Sequence, residues 1–242
     1  MKLKDAADNG AAVRLITSNQ TPFDNLSMRI WIKFCATTCI EDALASIDAG
    51  ADALGFIFAP SKRRVSAEQA REIAAQLPPG VERIGVFRDE SVEAVAEVAE
   101  QAGLTGIQLH GEESPAFIGA LRTRISPELN LSVIKTVLVN DHFETRFAEV
   151  CRDYDCIDSI LLDSGGGSGR TFDWKKAQPL LGPNRKRLIV AGGLNADNVD
   201  KAIRNFSPWG VDVVTGVECE PGRKDPERLK AFVAAVRKAE QS

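Results

Sequence analysis

Chemistry in this chain could come from a few short strings. Lys33-Phe34-Cys35-Ala36-Thr37 holds a thiol with a cation two residues before it. Ser61-Lys62-Arg63-Arg64 holds guanidinium groups, and Gln108-Leu109-His110-Gly111-Glu112 holds an imidazole. Leu162-Asp163 puts a carboxyl at the end of an apolar run, ahead of Ser164-Gly165-Gly166-Gly167-Ser168-Gly169-Arg170-Thr171. Ala191-Gly192-Gly193-Leu194-Asn195 and Thr215-Gly216-Val217-Glu218 complete the set. A thiol, a carboxyl, an imidazole and an arginine are ingredients for proton transfer on an anionic substrate. Each also has a plainer reading. A lone cysteine near a strand end is most often a small buried hydrophobe, and an aspartate after an apolar strand often caps a turn. His110 is as readily a satisfied loop residue as a ligand contact. Two features weigh toward chemistry. Lys33 alternates with Cys35 and so shares its face, where a cation favours thiolate. The glycines cluster where missing Cβ atoms let backbone N–H groups approach an anion. Cys39 reads as packing, and His142, next to Asn140-Asp141, as a surface residue.

The elements that must position these strings follow from the hydrophobic pattern. Short, β-branched runs at 29–34, 53–58, 83–87, 106–109, 131–137, 159–163, 187–191 and 211–215 are nearly continuous apolar segments, as strands buried on both faces should be. Amphipathic stretches at 40–49, 66–77, 91–102, 115–122, 141–152, 174–181, 196–205 and 225–240 alternate with them. Ser66-x-x-Gln69 has the form of a capping box. Val92, Val95, Val98 and Ala99 recur at helical spacing, as do Leu229, Phe232, Val233 and Val236. Eight strands each followed by a helix predict an α/β fold, a single (β/α)8 barrel. An open doubly wound sheet would carry a Gly-rich turn after its first strand, and none is present. In a barrel, function gathers at the C-terminal ends of the strands, which is where every string above begins. The loops after the seventh and eighth strands often bind phosphate in this fold, so Gly192, Gly193 and Gly216 become phosphate candidates, supported by the Gly/Ser-rich loop after the sixth.

Composition bounds the alternatives. The chain has 242 residues, 44% hydrophobic and 26% charged, which suits a globular domain with a sizeable core. A net charge of −4 gives no general drive toward nucleic acid or anionic membranes. No apolar stretch approaches the roughly 20 residues that span a bilayer. Cys35, Cys39, Cys151, Cys156 and Cys219 are odd in number, and neither close pair has the second half of a zinc motif. No metal is expected, and free thiols fit a reducing cytoplasm. Residues 1–27 are polar, lack the apolar core of a signal peptide and have loop composition. They are expected to form a disordered or mis-started extension ahead of a barrel at 28–242, with a short strand around 13–17 as the alternative.

The strings, taken in order, resemble a known family. Lys33-Phe34-Cys35-Ala36-Thr37 followed by Glu41-Asp42-Ala43 is similar to the opening motif of phosphoribosylanthranilate isomerase, the tryptophan-biosynthesis enzyme that performs an Amadori rearrangement. The similarity continues through Ala49-Gly50-Ala51-Asp52-Ala53-Leu54-Gly55-Phe56, Ser61-Lys62-Arg63, Gln108-Leu109-His110-Gly111-Glu112, Gly166-Gly167-Ser168-Gly169-Arg170-Thr171-Phe172-Asp173-Trp174, Gly192-Gly193-Leu194-Asn195 and Gly216-Val217-Glu218. The resemblance implies Cys35 as general base, Asp163 as general acid and Arg63 as the partner of the anthranilate carboxylate. It places the phosphate in the loops at Gly192-Gly193 and Thr215-Gly216, with His110 and Gly167 as further substrate contacts. It implies no cofactor, a small phosphorylated substrate as the partner, and a monomer or homodimer.

The residue types suit that chemistry on their own terms. An acid at Asp163 opens the furanose ring, and a thiolate at Cys35 then removes the C2 proton. The site must therefore hold one group protonated and the other ionised, pushed in opposite directions from about 3.9 and 8.5. Three positions depart from the family pattern: Ala36 replaces a glycine, Phe34 a smaller aliphatic residue, and Val214 a residue that is commonly serine. Two other readings make distinct demands on the sequence. The related histidine-pathway sugar isomerase would share the glycine loops but should carry a carboxylate base where this chain has Cys35. A barrel that only binds ligand would have lost Cys35, Asp163 or Arg63.

Overall fold

A computed structural model describes residues 29–165, 171–180 and 186–241 of the chain. The apolar runs form eight strands, β1 (Trp31–Phe34), β2 (Ala53–Ile57), β3 (Glu82–Phe87), β4 (Gly106–Leu109), β5 (Ser132–Leu138), β6 (Ser159–Asp163), β7 (Arg187–Val190) and β8 (Gly210–Val213). They pair in parallel in chain order and close through β1 and β8, with Lys33 opposite Asp212 and Phe34 opposite Val213. Helices α1 (Ile40–Ala49), α2 (Ala67–Ala74), α3 (Val92–Ala102), α4 (Pro115–Arg124), α5 (Phe143–Asp153), α6 (Trp174–Ala177), α7 (Val199–Phe206) and α8 (Pro226–Ala239) follow the strands one by one.

Alternation along each strand divides the core in two. Odd-numbered Trp31 packs inside the barrel with Ala53, Ile84, Ile134, Leu161, Ile189 and Ala191. Ile32, Phe34, Leu54 and Phe56 face outward into the layer shared with Ala43, Ala96 and Phe232 of the helices. Phe34 and Phe232 meet edge-on, centroids 5.9 Å apart. At the N-terminal end, Trp31 stacks on Trp209 at 5.0 Å and the Arg187 guanidinium lies over the Trp209 ring, closing the floor. The other rim is left for the polar strings.

Local sequence sets the element ends. Ser66 and Gln69 form the expected capping box at the start of α2, while Gly50 and Gly103 end α1 and α3 in the left-handed conformation that glycine adopts without penalty. Several boundaries differ from the sequence reading. The eighth strand stops at Val213, and Thr215 opens a single 3-10 turn, Thr215–Val217. The seventh helix starts at Val199 rather than 196, because Asn195 and Asn198 use their side chains to build a turn first. The sixth is one turn of α-helix followed by a 3-10 turn, Gln178–Leu180. A hairpin of β9 (Glu218–Glu220) and β10 (Arg223–Lys224) precedes α8 and was absent from the sequence reading. The expectations for residues 1–27 and for Gly167 lie outside the described residues. Among the described residues, no helix is long and apolar enough to cross a membrane.

Ala36 sits at φ 65°, fully buried, one residue after Cys35. A left-handed conformation costs an L-residue about 1–2 kcal/mol. The buried methyl returns about 0.8 kcal/mol, and alanine surrenders about 0.5–1 kcal/mol less backbone freedom than glycine. These terms nearly cancel, so Ala36→Gly should change unfolding free energy by less than about 1 kcal/mol in urea titration. The departure from glycine constrains the backbone more than it weakens the fold.

Candidate active site

Below the rim, the barrel interior carries a polar layer. Lys33 of β1 donates to Gln108 Oε1 at 2.9 Å and Asp212 Oδ2 at 3.0 Å, with all three side chains buried. Because the ammonium only donates, the Gln108 atom it touches must be the oxygen. The Gln108 nitrogen is then left to donate to Thr136 Oγ1 at 3.3 Å and to His110 Nδ1 at 3.4 Å. That fixes the imidazole as well: Nδ1 accepts, and the proton sits on Nε2, which is 3.8 Å from Asp163 Oδ2. Burial pushes the His110 pKa down against the pull of Asp163, so the ring is neutral near pH 7.

Cys35 follows β1 on the same inward face as Lys33. Its thiol is buried and packs against β2 at Gly55, where an added Cβ would lie 2.6 Å from Sγ. Glycine at 55 is thus what makes room for the thiol. Burial pushes the Cys35 thiol above its ordinary pKa; Lys33 pulls it back down, Asp212 opposes and Lys224 assists. Burial pulls the Lys33 pKa down, but Asp212 and Cys35 together outweigh it and hold the pKa above that of a free lysine. Asp163 ends β6, where Oδ1 accepts from Gly165 N at 3.0 Å and Oδ2 faces His110.

Two cavities open at this rim. Cys35, Ile57, Arg63, Arg88, His110 and Asp163 line the first, with Asp212 and Val214. Asp163, Ser164, Gly192, Gly193, Asp212, Val214 and Thr215 line the second. Asp163, Asp212 and Val214 belong to both, so the two form one groove with the carboxyl at its middle. The second cavity is built where loops meet without side chains. Gly192 and Gly193 have φ of 79° and 67°, and a Cβ on Gly192 would lie 2.6 Å from the Ser164 backbone nitrogen. A Cβ on Gly216 would lie 2.0 Å from the Leu194 carbonyl oxygen.

The structure thus brings Cys35, Asp163, Arg63, His110, Gly192, Gly193 and Thr215 to one groove, with Gly216 packed behind it. Arg63 has a companion the sequence reading missed: Nε and Nη2 fork onto the Glu218 carboxylate at 2.9 and 2.7 Å. Asp212 was also missed. A single charged residue between Val211 and Val213 in a buried strand was the available signal, and its Oδ1 is buried with no hydrogen-bond partner among the described residues.

A (β/α)8 barrel whose rim joins a thiol, a carboxyl and a side-chain-free cradle has the layout of a barrel enzyme. Comparison with known proteins narrows this. The family model described as N-(5′-phosphoribosyl)anthranilate (PRA) isomerase matches residues 32–235. An N-(5′-phosphoribosyl)anthranilate isomerase of Thermotoga neapolitana is 43% identical over 203 residues, 84% of this chain and 96% of that relative. The solved phosphoribosyl anthranilate isomerase of Thermus thermophilus superposes with a TM-score of 0.77 at 37% identity, covering 86% of this chain and 99% of that one. A further isomerase structure, in complex with reduced 1-(o-carboxyphenylamino)-1-deoxyribulose 5-phosphate, gives a TM-score of 0.74 at 40% identity over the same shares. The chain belongs to the N-(5′-phosphoribosyl)anthranilate isomerase family.

Proposed function

We propose that the chain rearranges N-(5-phospho-β-D-ribosyl)anthranilate to 1-(2-carboxyphenylamino)-1-deoxy-D-ribulose 5-phosphate, with Cys35 as base and Asp163 as acid. The observation that carries this reading is the groove: the thiol lies in one cavity, the glycine cradle forms the other, and Asp163 stands at their junction. A substrate with an anthranilate at one end and a phosphate at the other has that sequence of groups.

Asp163 gives its proton to the ring oxygen. The C1–O bond breaks and the aryl nitrogen's lone pair forms an iminium ion at C1. That cation acidifies the C2 proton, which Cys35 thiolate removes to give an enolamine. Proton uptake at C1 and loss of the C2 hydroxyl proton then yield the ketone. Neutral His110 places its Nε2 3.8 Å from the outer oxygen of that carboxyl, while the Gly165 amide holds the inner one. Lys33 shares the inward face with Cys35, and its charge opposes the burial that raises the thiol. The five cysteines are free thiols, which supports placement in the reducing cytoplasm. The direct test is loss of phosphoribosylanthranilate fluorescence on adding purified protein; persistence of the signal would sink the reading.

Arg63 is assigned the anthranilate carboxylate. Glu218 occupies its Nε–Nη2 edge and leaves Nη1 for an anionic substrate. Arg63→Lys removes the planar fork that both partners share. The loss of a charge-assisted bond, about 1.5–3 kcal/mol at most, should raise KM about tenfold. Inhibition by a carboxylate-bearing product analogue should weaken equally, and inhibition by inorganic phosphate should not change. Equal weakening of both would place Arg63 in the phosphate site instead.

A further inference from the structure

The β9–β10 hairpin carries a buried lysine that the proposed chemistry does not use. Lys224 has a side chain of 0% exposure, and its ammonium donates to the Cys35 carbonyl at 2.6 Å. It lies 3.6 Å from Glu218, the carboxylate that also holds Arg63 and accepts from Gly222 N at 3.1 Å. The hairpin is itself pinned: the Lys224 amide donates to Asp42 Oδ2 at 2.8 Å, and Thr38 Oγ1 donates to the Gly222 carbonyl at 2.7 Å. Both anchors come from the α1 side of the Cys35 loop.

A buried ammonium is an expensive way to hold a loop. Desolvating it costs several kcal/mol, and an apolar side chain of similar volume is often as stabilising or more so. One carbonyl and one carboxylate at 3.6 Å are a thin return for structure alone. The charges around the thiol supply the missing reason. Those acting on Cys35 are Lys33 from its own strand, Asp212 from β8 and Lys224 from β10; Arg63, Arg88, His110 and Asp163 line the same cavity, and on β2 the thiol packs against Gly55. Lys33 and Asp212 are paired at 3.0 Å, so Asp212 offsets part of what Lys33 contributes. A second positive contribution comes from the Arg63–Glu218–Lys224 chain, one carboxylate between two cations.

We infer that Lys224 is a positioning residue for Cys35: held by Glu218, its ammonium fixes the Cys35 carbonyl and adds a second positive charge, beside that of Lys33, that steadies the thiolate. This deepens the assignment of Cys35 as base and rests on it. The same carboxylate ties Lys224 to Arg63, so the hairpin couples the two working residues of the first cavity. Burial lowers the Lys224 pKa, and Glu218, Cys35 and Asp212 offset only part of that pull.

The test reads Cys35 ionisation without substrate, so it stands or falls separately from the activity of Cys35→Ser. Alkylation by iodoacetamide is followed against pH, with the Cys35 peptide quantified by mass spectrometry to separate it from the other thiols. In Lys224→Met the midpoint should rise by about one pH unit, a tenfold lower rate at fixed pH below it. Turnover should fall in parallel, with KM within about twofold. Lys224→Gln retains a donor for the Cys35 carbonyl and serves if the methionine variant fails to fold; it should shift the midpoint the same way. A folded variant of either kind with an unmoved midpoint overturns the inference, as does a change confined to KM.

Discussion

Cys35→Ser lowers kcat by about 10²–10⁴-fold, the size of a lost general-base contribution, and leaves the circular dichroism spectrum and melting temperature close to those of the parent. The fold should survive because serine is smaller than cysteine by little, and Lys33 and Lys224 can hydrogen-bond near its hydroxyl. Chemistry should not survive, because a hydroxyl does not ionise in the range where a thiol does. Asp163→Asn should produce a loss of the same order by removing the proton donor at the middle of the groove. The pH dependence adds a signature. Burial holds the Cys35 thiol above its ordinary range, so the thiolate fraction of the free enzyme is still rising at neutral pH. The kcat/KM of the parent should climb with pH through the thiol's ionisation, and Cys35→Ser should lose that limb. A serine variant with near-parental kcat, or one that retains the limb, would remove Cys35 from the role of base.

Sequence patterns reached the barrel and most of its rim for a simple reason. Strands buried on both faces read as apolar runs, and strand-end strings such as Lys33-Phe34-Cys35 and Leu162-Asp163 keep their alternation across the boundary. The β9–β10 hairpin escaped because strands of three and two residues are too short for any period to register. The Arg63–Glu218 fork joins residues 155 positions apart, a pairing that closure of the barrel creates and local sequence cannot carry. Asp212 and Gln108 lie inside strands, where one polar residue among valines or leucines reads as an interruption. In the folded barrel these interruptions share one layer with Lys33, and the layer sets the state of the thiol above it. The left-handed Ala36 was legible only as a departure from a family glycine, and its positive φ gives that departure a physical meaning.

The second large effect concerns the cradle. Gly216→Ala should weaken inhibition by inorganic phosphate and raise KM for the phosphorylated substrate by about 10²-fold. The added Cβ would meet the Leu194 carbonyl oxygen at 2.0 Å and the Asn195 Cα at 3.0 Å. Neither is the yielding end of a side chain, so the loop after β7 and the turn after β8 must separate. Such overpacking costs about 1–3 kcal/mol of stability, which a lowered melting temperature would record. On the proposed phosphate assignment, the effect arises because backbone N–H groups from both loops would have to point at one anion. Each charge-assisted bond is worth about 1.5–3 kcal/mol, and misaligning one or two of them accounts for the 10²-fold estimate. Cys35 lines the other cavity, so its alkylation midpoint should stay where it is. That combination separates the two ends of the groove: lost phosphate affinity with an unchanged thiol. If Gly216→Ala lowers stability yet leaves phosphate inhibition intact, the glycine serves loop packing alone and the anion is bound elsewhere on the rim.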